Sequence, residues 1–257
     1  MSINEAIHKF TPISLEGMDK VKLMNRIDTK YVLSREVLVK ILDRISNDFF
    51  ILEMESKRHF PYQSLYYDTC DDFMYKAHHN GKLNRYKIRF RKYVTSNDTF
   101  LEIKKKVKGT RTLKNRILVD CIQNNLEETA KEFIEKLTPF NSINLESKLY
   151  TNFNRITLVS KELSERVTID TDLDFYFQKE QNHQLKESAI IELKRDGNSG
   201  RSRLTGALNH FGINPHGMSK YCLGRALTEV TLKKNNFKPK ILTLNKIENG
   251  KFYYRNA

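Results

Sequence analysis

Four cations occupy every second position of "RYKIRFRKY": Arg85, Lys87, Arg89 and Arg91, with Tyr86, Ile88 and Phe90 between them. In an extended strand alternate side chains take opposite faces and repeat every ~6.5–7 Å, so the four cations form one row with no acid among them. Arginine offers a planar fork for paired oxygens and lysine a compact point charge. The chemistry open to such a row is the binding of a polyanion. The same alternation recurs along the chain. "RIDTKYVLS" sets Arg26, Asp28 and Lys30 against Ile27, Tyr31 and Leu33, and "LEIKKKVKG" sets Glu102, Lys104, Lys106 and Lys108 against Leu101, Ile103 and Val107. "ERVTIDTDL" sets Arg166, Thr168, Asp170 and Asp172 against Val167, Ile169 and Leu173, while "IIELKRD" sets Glu192, Lys194 and Asp196 against Ile191 and Leu193.

One such strand alone reads as half of an ordinary solvated sheet. Several in succession predict a large sheet with one apolar and one densely charged face. The expected fold class is α+β, with antiparallel β-strands closed into a basic-lined tunnel and helices packed outside on the apolar face. An interior of this kind is tolerable only if it holds water and a highly charged ligand.

The elements that would position these residues are legible from period and punctuation. Strand patterns also occur in "YQSLYYDT", "TRTLKNRILVD" and "KLYTNFNRITLVS", and Gly109 marks a hairpin turn. "SREVLVKILDRI" is a helix with Ser34 as its N-cap, and a second helix covers Leu126 to Leu137. "GNSGRSRLTGALNHFG" leads through a turn into a third helix and "SKYCLGRALTEV" into a fourth. Strands joined mostly without crossover helices imply antiparallel pairing. One domain is expected over residues 1–257, with a core of about 18–230 and a C-terminal tail of 231–257.

The charge balance agrees with an anionic partner. There are 45 Lys and Arg against 31 Asp and Glu, a formal net charge of +14. Cys70, Cys121 and Cys222 stand far apart with no CxxC spacing, which disfavours a disulfide framework or structural zinc site. No run approaches the ~18 apolar residues that span a bilayer, and no secretory pattern opens the sequence. The expectation is a cytoplasmic protein. The seven histidines are scattered, and no GxxxxGK[ST] phosphate loop is present.

In order along the chain, "RIDTKYVL", "YKIRFRKY", "LEIKKK", "NFNRITL", "RVTIDTDL", "IIELKRD" and "MSKYCLG" resemble the VTC (vacuolar transporter chaperone) domain of polyphosphate polymerases, over roughly Met18 to Thr228. That domain belongs to the triphosphate tunnel metalloenzyme, or CYTH-like, superfamily. The resemblance implies a phosphate-binding set of Lys30, Arg89, Arg91, Lys104, Arg155, Arg166 and Lys220, with Glu192 as the carboxylate for Mn²⁺ or Mg²⁺ and Lys194 beside it. It also implies ATP, triphosphate and polyphosphate as ligands and leaves room for a membrane-protein partner in product export. Arg85 and Lys87 have no match and are expected to guide substrate to the entrance.

The implied reaction moves the γ-phosphoryl of ATP onto a polyphosphate chain and releases ADP. The CYTH hydrolases open with ExExK; here those positions read Arg26, Asp28 and Lys30, which removes one carboxylate and argues against a two-metal hydrolase. A metal-dependent tripolyphosphate or nucleoside-triphosphate hydrolase is the alternative, motivated by Asp28 and Glu102. Non-catalytic binding of polyphosphate or nucleic acid is a further one. Nucleic acid is disfavoured, because Tyr86 and Phe90 lie opposite the cations and not among them. Removing Arg89 or Arg91 is expected to relieve repulsion and raise thermal stability.

Overall fold

A computed structural model describes residues 1–19, 21, 26–107, 112–177, 181–196 and 202–256. The Gly109 turn, the "GNSG" turn, Lys108 and Arg201 lie outside the described residues. In chain order the elements begin with α1 (Ile3–His8), β1 (Thr11–Ile13), α2 (Leu15–Asp19), β2 (Arg26–Ser34), α3 (Arg35–Ile45) and β3 (Phe49–Leu52). There follow β4 (Phe60–Thr69), α4 (Phe73–His79), β5 (Arg85–Tyr93), β6 (Asp98–Lys106), β7 (Thr112–Val119) and α5 (Glu128–Leu137). The chain continues through β8 (Leu145–Ser160), β9 (Glu165–Phe177), β10 (Gln181–Leu185), β11 (Ser188–Asp196), α6 (Arg203–His210), α7 (Lys220–Thr228) and α8 (Lys238–Glu248).

Eight strands run in the order β2-β11-β9-β8-β4-β5-β6-β7, and every neighbouring pair is antiparallel. The short β1 pairs with β3 in parallel. The expected closure is not made by hydrogen bonds: among the described residues no pairing joins the edge strands β2 and β7. The sheet curls far enough for both edge strands to line one cavity, through Lys30 on β2 and Lys114 on β7.

The apolar rows lie outside, as alternation predicts. Tyr31, Leu33, Ile156, Leu158, Val167, Ile169, Ile191 and Leu193 pack beneath α1, α3 and α6. Ile88, Phe90, Leu101 and Ile103 pack beneath Ala130 and Ile134 of α5. The third helix begins at its Ser202 cap, whose hydroxyl accepts from Thr205 N, and α3 begins at Ser34, which accepts from Val37 N.

At one end of the concave face the polar lining gives way to Tyr66, Leu149, Phe153, Leu173 and Phe175, and α7 seats there with Tyr221 and Leu223. Gly224 makes this approach feasible. A Cβ at that position would stand 2.5 Å from Leu149 and 2.6 Å from Phe175. The segment expected as a tail joins the same cluster through Phe237, Leu244 and Ile247.

A β-bulge explains one departure from simple alternation. Asp172 and Leu173 of β9 together oppose Phe153 of β8, and Asp172 has φ of 52°. Parity therefore reverses. Thr168 and Asp170 point inward, but beyond the bulge it is Leu173 and Phe175 that join the α7 cluster, while Asp172 turns away to pair with Arg35. The expected alignment of Leu173 with Val167 and Ile169 is thus corrected.

Candidate functional site

All eight strands of the path send side chains into one cavity of about 380 Å³. Asp28 and Lys30 come from β2, Glu192 and Lys194 from β11, Arg166 and Asp170 from β9, and Arg155 from β8. Tyr66 comes from β4, Lys87, Arg89 and Arg91 from β5, Glu102 and Lys104 from β6, and Lys114 from β7, while α7 adds Lys220. The nine residues singled out from the sequence, Lys30, Arg89, Arg91, Lys104, Arg155, Arg166, Glu192, Lys194 and Lys220, are all brought together here. Ten cationic side chains face four carboxylates.

Three of those carboxylates each hold two cations. Glu102, fully buried, accepts from Arg89 Nε and Nη2 at 2.9 and 2.5 Å, and the Lys114 ammonium lies 2.5 Å from its other oxygen. Asp170 accepts from Arg155 Nε and Nη2 at 2.6 and 2.8 Å and also pairs with Lys220. Glu192 lies 2.5 Å from Lys194 and 3.5 Å from Lys30. Burial alone would push all three carboxyls up. That influence is the largest single one, but the surrounding cations together outweigh it, led by Arg89 at Glu102, Arg155 at Asp170 and Lys30 at Glu192, and each carboxyl stays well below the usual range.

Aromatic rings separate cations that would otherwise crowd. The stacked Tyr62 and Phe153 rings lie 5.3 Å apart between centroids. Arg91 sits 5.6 Å from Tyr62 and Arg155 sits 5.0 Å from it, with Lys220 4.6 Å from Phe153. Arg91 has no carboxylate partner among the described residues; its Nε donates to Ser64 Oγ at 3.3 Å. Tyr66 accepts from Arg89 Nη1 at 2.9 Å. Burial opposes ionisation of that phenol, but Arg89 and Arg91 outweigh it and bring it to about 8.

Lys220 is placed by helix α7. Ser219 caps this helix by accepting from Cys222 N, Tyr221 Oη donates to the buried Asp68 at 2.5 Å, and Arg225 pairs with Asp72 at 2.8 Å. A cation in the first turn opposes the helix dipole, so helix stability does not account for a lysine here. Burial lowers its ammonium to about 8, with Asp170 opposing the shift and Arg155 adding to it.

Lys87 corrects an expectation. It is no entrance residue: its ammonium donates to Ser219 Oγ at 3.0 Å inside the cavity, where burial lowers its affinity for a proton. Lys114 was missed, although alternation in "TLKNRILVD" sets it on one face with Arg116. Asp172, expected on the inner face, is turned out by the bulge. Phe90 is fully buried and Tyr86 packs edge-on against Phe140, so neither offers a free face for a base.

Glu192 also answers whether a divalent metal fits. Among the described residues no three His, Cys, Asp or Glu side chains cluster as a metal site. A metal carried on phosphate oxygens needs only one or two carboxylates, and Glu192 with Asp28 on the adjacent strand meets that need. No described helix is long and apolar enough to cross a membrane.

Comparison with known proteins bears on the same residues. The family model described as VTC domain matches residues 25–229. Among solved structures, a proposed adenylyl cyclase from Hippeastrum, described with a dominant triphosphatase activity, is 15% identical with a TM-score of 0.50, over 81% of this chain and 99% of that one. A proposed adenylate cyclase from Vibrio parahaemolyticus is 11% identical with a TM-score of 0.46, over 79% and 99%. A Pyrococcus horikoshii protein is 17% identical with a TM-score of 0.44, over 78% and 97%. No curated protein matches the chain.

Proposed function

The chain belongs to the VTC domain family, and from that premise we propose that its cavity binds a phosphate chain and transfers the γ-phosphoryl of ATP onto polyphosphate. The observation that carries this reading is that seven strands and one helix aim ten basic side chains at one space, in which three carboxylates are each shared between two of them. A phosphate chain presents oxygens in all directions and needs cations from several walls. Phosphoryl transfer then depends on alignment and charge stabilisation, which the surrounding strands supply from fixed positions.

In this reading a terminal oxygen of the polyphosphate attacks the γ-phosphorus, the bond from that phosphorus to the β,γ-bridging oxygen breaks, and ADP leaves. Arg91 and Lys104 hold phosphate oxygens without a protein carboxylate competing for them. Arg89, Arg155 and Lys220 are pre-positioned by Glu102 and Asp170. Mn²⁺ or Mg²⁺, when bound, supplies neutralisation of charge on the phosphates, and Glu192 is the carboxylate that would hold it. Purified protein with ATP and Mn²⁺ should release ADP and build polyphosphate together, visible as a ladder on a gel. ADP release without chain growth, with and without a short primer, would overturn the polymerase assignment.

Asp28 favours a second reading, a metal-dependent tripolyphosphatase, because it lines the cavity beside Glu192 and a second carboxylate could help hold a metal or ready a water. The Hippeastrum protein is described with a dominant triphosphatase activity. Glu102, the other residue that motivated it, is committed to Arg89 and Lys114. Phosphate released from tripolyphosphate in the absence of any chain growth would support hydrolysis, and stable tripolyphosphate under active-metal conditions would exclude it.

A further inference from the structure

Strand register gathers three lysines that the alternation of single strands does not show together. Lys87 of β5 stands directly opposite Lys104 of β6, and Lys104 stands directly opposite Lys114 of β7. All three point into the cavity. Directly opposed residues have Cβ atoms ~4.5–5.5 Å apart, and like charges so placed destabilise a sheet. Other inward rows relieve this with an acid: Lys30 faces Glu192, Lys194 faces Asp28, Arg155 faces Asp170 and Arg89 faces Glu102.

The outer lysines of the row find partners elsewhere. Lys114 reaches Glu102 at 2.5 Å and Lys87 donates to Ser219 Oγ at 3.0 Å. Lys104, between them, has no hydrogen-bond or ion-pair partner among the described residues. Resting on the phosphate-binding reading above, we propose that Lys104 couples occupancy of this cavity to proton uptake: it stands as a neutral amine in the free protein and becomes an ammonium when a phosphate chain enters among the three lysines.

The groups around it support this from every side. Strand β5 presents Lys87, Arg89 and Arg91, β7 presents Lys114, β4 the Tyr66 phenol, and α7 the Ser219 hydroxyl and Lys220. The one nearby acid, Glu102 on its own strand, has its oxygens engaged by Arg89 and Lys114. The Arg89 charge, then burial and Arg91, hold the Lys104 amine well below the ordinary lysine range. A terminal phosphate brings the missing negative charge and reverses that balance. An anion too weakly charged to do so meets a site with one cation fewer, so the device favours phosphate chains over orthophosphate.

Isothermal titration of tripolyphosphate into the full metal-free chain near pH 8, repeated in buffers of different ionisation enthalpy, counts the protons exchanged. The ligand can itself release a proton on binding, so the informative quantity is the difference between wild type and Lys104→Arg, whose guanidinium is always charged. Wild type should take up a large fraction of one proton more than Lys104→Arg and more than Lys104→Met. Equal proton counts in wild type and Lys104→Arg would overturn the proposal. If wild type fails to bind tripolyphosphate at all, the phosphate-binding reading itself fails. ¹³Cε NMR of the wild-type lysines gives a check independent of the variants' folding: one resonance should titrate far below the others and move to the charged position with tripolyphosphate. If every lysine titrates normally in the free protein, the proposal is wrong.

Discussion

Replacing Glu102 by Gln tests whether the cavity is held open by shared carboxylates. Glu102 is fully buried and its two oxygens engage Arg89 and Lys114, with Arg91 and Lys104 close behind them. Gln keeps the shape and one acceptor but removes the charge, so Arg89, Arg91 and Lys114 are left as cations, with the Lys104 amine, around a neutral group. Breaking a buried ion pair by removing one partner costs about 3–5 kcal/mol. The retained amide acceptor argues for the lower end, roughly 3 kcal/mol, which for a chain of this size lowers the melting temperature by about 6–12 °C. Tripolyphosphate would return the missing negative charge, so it should stabilise the variant more than the wild type and narrow the gap. Thermal melts in low salt, with and without tripolyphosphate, read both effects. Either a free variant that melts within about 2 °C of wild type or a gap that tripolyphosphate leaves unchanged would refute the reasoning.

Arg89→Ala should melt earlier than wild type, because it strips Glu102 of its main partner, whereas Arg91→Met should melt at or above wild type and lose tripolyphosphate affinity; equal melting shifts would erase the distinction. Glu192→Ala should lower Mn²⁺-stimulated ADP release at least ~10-fold while ligand-free melting shows the fold retained, and unchanged metal dependence would remove Glu192 from the metal site. Lys220 holds its proton less tightly folded, at about 8, than at the ordinary 10.5, so between those values the unfolded chain binds more protons and stability rises with pH. Urea midpoints between pH 8 and 10 should therefore climb more steeply in wild type than in Lys220→Met, and parallel slopes would count against the shift.

What the sequence reveals and what it hides follow from the range of the interactions. Alternation is local, and it correctly gave the inner face of β5, β6 and β11 and the apolar rows beneath α3 and α5. The expectation that losing Arg89 relieves repulsion takes no account of its counter-ion, Glu102, which lies across the strand pair, a relation that only register creates. Asp172 is lost to simple alternation because one added residue reverses every later side chain. Lys220 was identified by resemblance alone. A lysine opening a helix has no period that points it anywhere, and its direction comes from how closely Gly224 lets α7 approach Leu149 and Phe175.

The acids are the least expected part of the proposed polyanion site and explain how its cations are tolerated. Ten uncompensated inward cations would disfavour the curled sheet, and ten fully paired ones would have little left for a ligand. Sharing each of Glu102, Asp170 and Glu192 between two cations lies between these limits, since each carboxylate cancels one charge while fixing two side chains. Those side chains need less ordering when phosphate arrives, which lowers the entropic cost of binding. Lys104 and Arg91, outside the shared pairs, keep their charge deficit or excess for the ligand to resolve. On the proposed reading such a cavity is most stable when it is filled, and a phosphate chain would complete its electrostatics as much as occupy its volume.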